Sequence, residues 1–279
     1  MIKIAIPNKG RMFKPTLDLL KKAGFELKDF NERRLCAESK CNNLSILFMR
    51  TQDIGSYVES NVVDLGITGY DIVKEKQLSV EKLLDLNYGF CKLVLAGLKD
   101  KELKNDVKIA TKYPNIAKNY LKENKISAKI ILSNGATEIK PSLGLADFIV
   151  DITSTGSTLK ENNLEIYDSI LKSNAILIGN KQSKIKKSKE IEDIKLAIQS
   201  VILAENKSYV MFNIKKEILE NIIDKIPCMK APTVLNTGDE KIVSVQTVVP
   251  TNEVSKTITK LKDLGTSDIL VLEIKRVVV

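Results

Sequence analysis

The segment DFIVDITSTGSTLKENNL, residues 147–164, holds the densest set of groups able to do chemistry. An apolar run ends at Asp151, and a turn then supplies Thr153, Ser154, Thr155, Gly156, Ser157 and Thr158 before a helix expected to start near Leu159. Free backbone amides and hydroxyls in such a turn can cradle a phosphate, and Asp151 at the strand end could orient ribose hydroxyls or approach a magnesium ion. An ordinary Ser/Thr turn and helix cap has the same composition, so both readings stay open on these residues alone. IPNKGR, residues 6–11, sets Lys9 and Arg11 on either side of a glycine where a bound anion would sit, although two solvated cations on a surface turn look the same. Arg50 closes another apolar run, and VDLGITGYD, residues 63–71, delivers Asp71 from a glycine-rich turn. In ATKYPN, residues 110–115, Tyr113 could offer its ring to a base, or simply pack beside Pro114. Loops at several strand ends can converge on one cleft.

What the chain lacks narrows the chemistry. It has no histidine, which removes Ser-His and Cys-His nucleophiles, imidazole bases and histidine metal ligands. Its 4 cysteines, Cys36, Cys41, Cys91 and Cys228, form no Cys-x-x-Cys pair, and CAESKC reads as strand and turn rather than as a zinc or disulfide site. The net charge of +9 is spread thinly, with one basic run, KIKKSK at residues 184–189, that reads as a solvated loop or helix face. With 5% aromatic residues and no Trp, the chain lacks the stacking groups of a single-strand nucleic-acid binder, and small polyanionic substrates fit the balance better. At 43% hydrophobic and 28% charged it is an ordinary globular composition with no apolar run long enough to span a membrane. MIKIAIPNKGR has neither the apolar length nor the cleavage site of a signal peptide, so a soluble cytoplasmic protein is expected.

The elements that must carry these loops follow from short β-branched runs alternating with amphipathic stretches. Strands are expected at 3–7, 44–49, 63–68, 90–97, 107–111, 128–132 and 147–152, with helices at 14–23, 53–61 and 114–124. That alternation predicts parallel sheets covered on both sides. After a helix at 191–205, strands at 209–214, 232–236, 241–249 and 268–274 and helices at 215–226 and 252–264 give a βαββαβ order, the ferredoxin-like pattern.

The segments IAIPNKGR, MRTQDIGSYVESNVVDLGITGYD, YGFCKLVLAG, ATKYPNIAKNYL and GATEIKPSLGLADFIVDITSTGSTLKENNL, in that order and spacing, resemble the ATP phosphoribosyltransferases. The tail, MKAPTVLNTGDEKIVSVQTVVP, resembles the regulatory domain of the long form of that enzyme. The resemblance implies an α/β fold: a two-lobed catalytic core like the type II periplasmic binding proteins, plus a C-terminal ferredoxin-like, ACT-like domain. Lobe I would comprise residues 1–89 and 180–206, lobe II residues 90–179, and the regulatory histidine-binding domain residues 207–279. The implied reaction joins ATP, through adenine N1, to 5-phosphoribosyl 1-pyrophosphate with Mg2+, the first step of L-histidine biosynthesis, with L-histidine as inhibitor and a dimer or hexamer as the assembly. By motif match Asp151, Thr153, Ser154, Thr155, Gly156, Ser157 and Thr158 would hold phosphoribosyl pyrophosphate, and Glu138 would sit near the ribose. Lys9, Arg11, Arg50, Asp71 and Tyr113 would line the ATP and pyrophosphate side, with Lys9, Glu138 and Asp151 as the catalytic groups.

Two departures stand out. Tyr70 occupies a position where the family commonly has Arg, and Asn163 one where it usually has Gly; Asn tolerates a left-handed backbone. Four rivals are weaker. A ligand carrier of the same architecture predicts an export signal, and a catalytically idle subunit predicts a lost cradle. A nucleic-acid binder rests only on a pI near 9.1. A type I phosphoribosyltransferase usually carries two acids at the strand end, whereas Asp151 is followed by Ile152.

Overall fold

The first strand, β1 (Ile2–Pro7), is buried at every position but one, as a strand in the middle of a covered sheet must be. In the computed structural model, which describes residues 1–28, 35–39, 44–154, 156–223, 226, 228–229 and 231–278, it is followed by α1 (Phe13–Lys22), β2 (Cys36–Glu38), β3 (Leu44–Met49), α2 (Thr51–Glu59), β4 (Leu65–Gly69), α3 (Tyr70–Glu75) and β5 (Glu81–Asp85). The chain then crosses to a second sheet through β6 (Cys91–Leu98), β7 (Val107–Thr111), α4 (Pro114–Glu123), β8 (Ala128–Leu132), β9 (Phe148–Thr153), α5 (Ser157–Glu161) and β10 (Leu164–Ser173). It returns with β11 (Ala175–Gly179), followed by α6 (Lys181–Lys186) and α7 (Ser188–Ala204).

The first sheet has the order β2-β3-β1-β4-β11-β5 and the second β10-β6-β9-β7-β8. Both are mixed, which corrects the parallel expectation. β1 is parallel to β3 and β4, but β11 runs antiparallel to β4 and β5. Likewise β9, β7 and β8 are parallel, while β6 opposes both β9 and β10. The strands that carry the chain between sheets enter each sheet against the βαβ direction, which alternation alone does not reveal. The crossing back lies at Asn174, ahead of the Gly179 expected, because β11 is itself a fully buried strand of the first sheet.

Helix and sheet meet closely at Gly66, where an added Cβ would lie 2.6 Å from Ile54 Cγ2 and 2.7 Å from Val58 Cγ2 of α2. Asn163 adopts φ 56, the left-handed conformation its substitution for Gly requires. The basic run spans the end of α6 and the start of α7, with one turn residue, Lys187, between them, and is mostly exposed; two of its lysines are nonetheless paired, Lys184 with Glu81 and Lys187 with Asp64. Lys40 and Cys41 of the CAESKC segment lie outside the described residues; Cys36, Cys91 and Cys228 are free thiols.

The chain divides into two units, Met1–Lys195 and Leu196–Val279, so the division falls inside α7 rather than at residue 207. The second unit contains β12 (Lys207–Lys215), α8 (Leu219–Ile223), β13 (Thr233–Asn236), β14 (Ile242–Pro250), α9 (Val254–Asp263) and β15 (Ser267–Glu273). Its sheet order, β13-β14-β12-β15, is the antiparallel ferredoxin-like arrangement. β12 and β14 alternate strictly, burying Val210, Phe212, Ile214, Val243, Val245 and Val249 against Leu261 of α9. The helix expected at 215–226 opens differently: a 3-10 turn, Lys216–Ile218, precedes α8. Among the described residues, no helix is long and apolar enough to cross a membrane.

At the end of the first sheet away from the strand-end loops, buried Asp64 accepts hydrogen bonds from Lys187 Nζ at 2.8 and 2.9 Å, Ser183 Oγ at 2.6 Å and the Lys3 amide at 2.9 Å. Burial pushes its carboxyl up, but these donors and the lysine charge outweigh it and hold the group below its ordinary value. A depressed folded value stabilises the protein above the unfolded carboxyl value of about 3.9 and ceases to do so as pH falls through the folded one. The thermal midpoint of Asp64→Asn should therefore lie below wild type at pH 7, by the equivalent of about 2 kcal/mol, with the gap closing on acidification. Gly66→Ala should cost about 1–3 kcal/mol in denaturant titrations, because two fully buried branched side chains must shift.

Candidate functional site

Every loop at issue leaves the C-terminal end of a strand. β1 ends at Pro7 and releases Lys9, Gly10 and Arg11 into the turn before α1; β3 ends at Met49, leaving Arg50 as the N-cap of α2. β4 ends at Gly69, and Asp71 falls in the first turn of α3. In the second sheet, β7 ends at Thr111 ahead of Lys112 and Tyr113, and β9 carries Asp151 and Thr153 into the turn before α5.

Two adjoining cavities lie among these loops. The larger, about 700 Å³, is lined by Lys9, Arg11, Arg50, Asp71 and Tyr113, and also by Gln52, Glu75, Lys76 and Lys112. The smaller, about 370 Å³, is lined by Glu138, Asp151, Thr153, Ser154, Ser157 and Thr158, again with Lys112. Lys112 and Ile152 line both. Gly156 lines neither, and Thr155 lies outside the described residues. The two sets of residues expected on separate substrates thus fall into separate but touching spaces. Arg11 reaches from one set to the other, its Nη1 donating to Ser154 Oγ at 3.3 Å.

Local hydrogen bonds explain how the loops hold their shape. Gly156, at φ 81, donates its amide to Thr153 Oγ1 at 2.8 Å, which closes the turn before α5 in a conformation a side chain would resist. Fully buried Thr111 donates its hydroxyl to the Val150 carbonyl at 2.6 Å and accepts the Tyr113 amide at 2.8 Å, tying the ATKYPN turn to β9. Glu138 rides on a 3-10 turn, Thr137–Ile139, whose buried Thr137 donates to Ser133 Oγ at 3.1 Å, while the Ser133 amide donates to the Thr111 carbonyl. Asp71 is buried, and its carboxylate accepts the Ser173 hydroxyl at 2.6 Å while its amide donates to Ser173 Oγ at 2.9 Å.

Electrostatically the larger cavity is cationic: Lys9, Arg11, Arg50, Lys76 and Lys112 face Asp71 and Glu75. Such a lining attracts polyanions. Burial, then the Asp71 and Asp151 carboxylates and Cys91, push the Tyr113 phenol up, with Arg11 opposing them. Tyr113 therefore presents a neutral hydroxyl, able to donate, on a ring packed against the core of the second sheet. Tyr70 lines neither cavity. Its ring lies 5.4 Å from Lys74 Nζ and 5.3 Å from Lys82 Nζ, and its amide donates to the Asn174 carbonyl. Among the described residues, no group of three or more Cys, Asp or Glu side chains is placed to hold a metal ion by itself.

Lys112 was not singled out from the sequence, although a cation directly after a strand end was the available signal. Gln52, Glu75 and Lys76 carry none, since they sit within α2 or at the C-terminal end of α3.

Comparison with known proteins matches this arrangement to one family. The family model for ATP phosphoribosyltransferase matches residues 50–200, and that for the HisG C-terminal domain matches residues 204–276. The ATP phosphoribosyltransferase of Methanocella arvoryzae is 41% identical over 100% of both chains, and that of Methanothermobacter thermautotrophicus is 41% identical over 99% of both. A chain of the ATP phosphoribosyl transferase (HisG:HisZ) complex from Thermotoga maritima superimposes with a TM-score of 0.63 at 33% identity, covering 71% of this chain and 99% of that one. Cleft, fold and similarity over the full length agree: the chain belongs to the ATP phosphoribosyltransferases, enzymes of histidine biosynthesis that transfer a phosphoribosyl group, in the form that carries the C-terminal domain.

Proposed function

We propose that the protein condenses ATP with 5-phosphoribosyl 1-pyrophosphate to give N1-(5-phosphoribosyl)-ATP and pyrophosphate. The observation that carries this reading is the pair of touching cavities, one cationic and one lined by hydroxyls and two carboxylates, with Lys112 in both walls. Two anionic substrates need two subsites, and they react only where those subsites meet.

In this reading the turn from Asp151 to Thr158 takes the 5-phosphate and ribose, and Glu138 flanks the ribose. Lys9, Arg11, Arg50 and Asp71 take the triphosphate and the leaving pyrophosphate, and Tyr113 adds its hydroxyl. The lone pair on adenine N1 forms the new bond to ribose C1, and the bond from C1 to the pyrophosphate oxygen breaks with its electrons leaving on pyrophosphate. No protein nucleophile or histidine base is required, which suits a chain without histidine. The side chains position the partners, stabilise positive charge on the ribose through Asp151 and Glu138, and receive negative charge on pyrophosphate through the cations. Magnesium would arrive on the polyphosphates, with Asp151, Glu138 or Asp71 offering oxygens, and would supply charge neutralisation.

The remaining parts of the proposal concern the rest of the chain. The two sheet-bearing bodies of the unit Met1–Lys195, with β11 in the first, would form the catalytic lobes, and the unit Leu196–Val279 the regulatory domain that binds L-histidine and inhibits. The working form would be a cytoplasmic homo-oligomer, dimer or hexamer, with no nucleic-acid or membrane partner.

Pyrophosphate release from ATP, phosphoribosyl pyrophosphate and Mg2+, with the adduct confirmed by mass, tests the reaction. Release should require both substrates and fall when L-histidine is added; histidine-insensitive release would remove the feedback role and keep the enzyme. Asp151→Ala should lower kcat/KM for phosphoribosyl pyrophosphate by about a hundredfold, the cost of losing a group that orients the reacting sugar. Arg50→Ala should raise the KM for ATP by about tenfold, as the loss of one charge-assisted contact to phosphate would. Unchanged values for both substrates and for turnover would remove Arg50 from the site.

A further inference from the structure

A carboxylate in a cleft built for two polyanions is out of place unless its charge is already committed. Glu75 lines the larger cavity, and both of its oxygens are committed. Helix α4 has Tyr113 at its N-cap, which makes no side-chain cap, and its first turn contains no acidic residue. Its leading amides are nevertheless satisfied: Asn115 N–H donates to Glu75 Oε1 at 3.0 Å and Ile116 N–H to Oε2 at 3.0 Å. The Asn115 side-chain amide completes the contact by donating to the Glu75 carbonyl at 2.8 Å.

These three bonds join the two halves of the cleft. Glu75 ends α3, whose Tyr70 and Val73 pack on the core of the first sheet. α4 buries Ile116, Ala117 and Leu121 on the core of the second. The residues immediately before α4 are Lys112, the charged side chain common to both cavities, and Tyr113. A helix normally satisfies its first amides from its own cap; here the cap belongs to the opposite sheet, so closing the helix end and setting the distance across the cleft are one event.

We infer that Glu75 is a positioning residue for phosphoribosyl transfer: by capping α4 across the cleft, it holds Lys112 and Tyr113 at the junction of the two subsites. The inference rests on the reaction proposed above. Glu75 does not itself meet substrate in this scheme. Its effect passes through Lys112 and Tyr113, so it governs turnover more than the affinity for either substrate.

The test combines kinetics with amide exchange on the full-length protein and on Glu75→Ala, Glu75→Gln, Lys112→Ala and the Glu75→Ala/Lys112→Ala pair. Glu75→Ala should lower kcat by about tenfold or more, with a smaller change in either KM. Glu75→Gln, which keeps one acceptor, should recover part of the loss. In the Lys112→Ala background, Glu75→Ala should cost less than about threefold, because the two changes act on one element. Exchange at the Asn115 and Ile116 amides should quicken in Glu75→Ala. Full additivity of the two substitutions, or kcat unchanged per folded site, overturns the inference. So does unaltered exchange at those amides, whatever the activity. A wild-type protein that releases no pyrophosphate from the two substrates instead overturns the proposed reaction, and the exchange measurement still decides whether Glu75 caps α4.

Discussion

The chain passes between the two sheets at two places, and main-chain hydrogen bonds pin those passages to each other. On the outward pass, the Leu86 amide donates to the Ala175 carbonyl, and the Ala175 amide returns a bond to the Tyr88 carbonyl. The Tyr70 amide adds a third, to the Asn174 carbonyl. Because Asn174 is held, Ser173 beside it meets Asp71 at fixed distance, and a buried carboxylate is aimed into the cleft from the first turn of α3. If the crossings were loose, the strand ends would still carry the same side chains but would not face one another across a defined space. The Glu75 cap on α4 is a second tie between the same two bodies, further along the cleft.

Placing reactive groups at strand ends divides the labour of the sequence. Strand interiors such as that of β9, where Phe148, Ile149 and Val150 are fully buried, are selected for packing. One to three residues later the same chain supplies Asp151 and Thr153, half-buried and lining a cavity. Buried hydroxyls then bridge the two regimes: Thr111, Thr137 and Ser133 line neither of the two cavities, yet they fix the turns that hold Tyr113 and Glu138.

This division also explains what could be read from residues alone. The strands at Leu44–Met49, Val107–Thr111 and Ala128–Leu132 have the expected limits, since each is a short apolar run bounded by polar residues. β10 was not anticipated: it is a largely exposed edge strand with register shifts near Ile166 and Ser169, so its sequence, LEIYDSILKS, shows little alternation. β11 is likewise absent from the expected strands, and the expected boundary at Gly179 leaves AILIG with the second sheet; only its pairing with β4 and β5 places it in the first. In the cleft, the motif-bearing turns announced themselves by composition. Glu75 did not, because a carboxylate that caps a helix 40 residues away leaves no local trace.

The crossings also set an order of assembly. The second sheet is built from one uninterrupted stretch between Cys91 and Ser173, and all its partners are present once that stretch has left the ribosome. The first sheet is not so placed: among the described strands β5 pairs only with β11, and β11 follows β4 only after the whole inserted body has been synthesised. Until Ala175 emerges, three parallel strands and a detached β5 must wait with an apolar edge uncovered. The lobe whose residues come first is thus the one that closes last, and nascent chains halted before Gly179 expose the edge of β4 as a surface for chaperones or for aggregation.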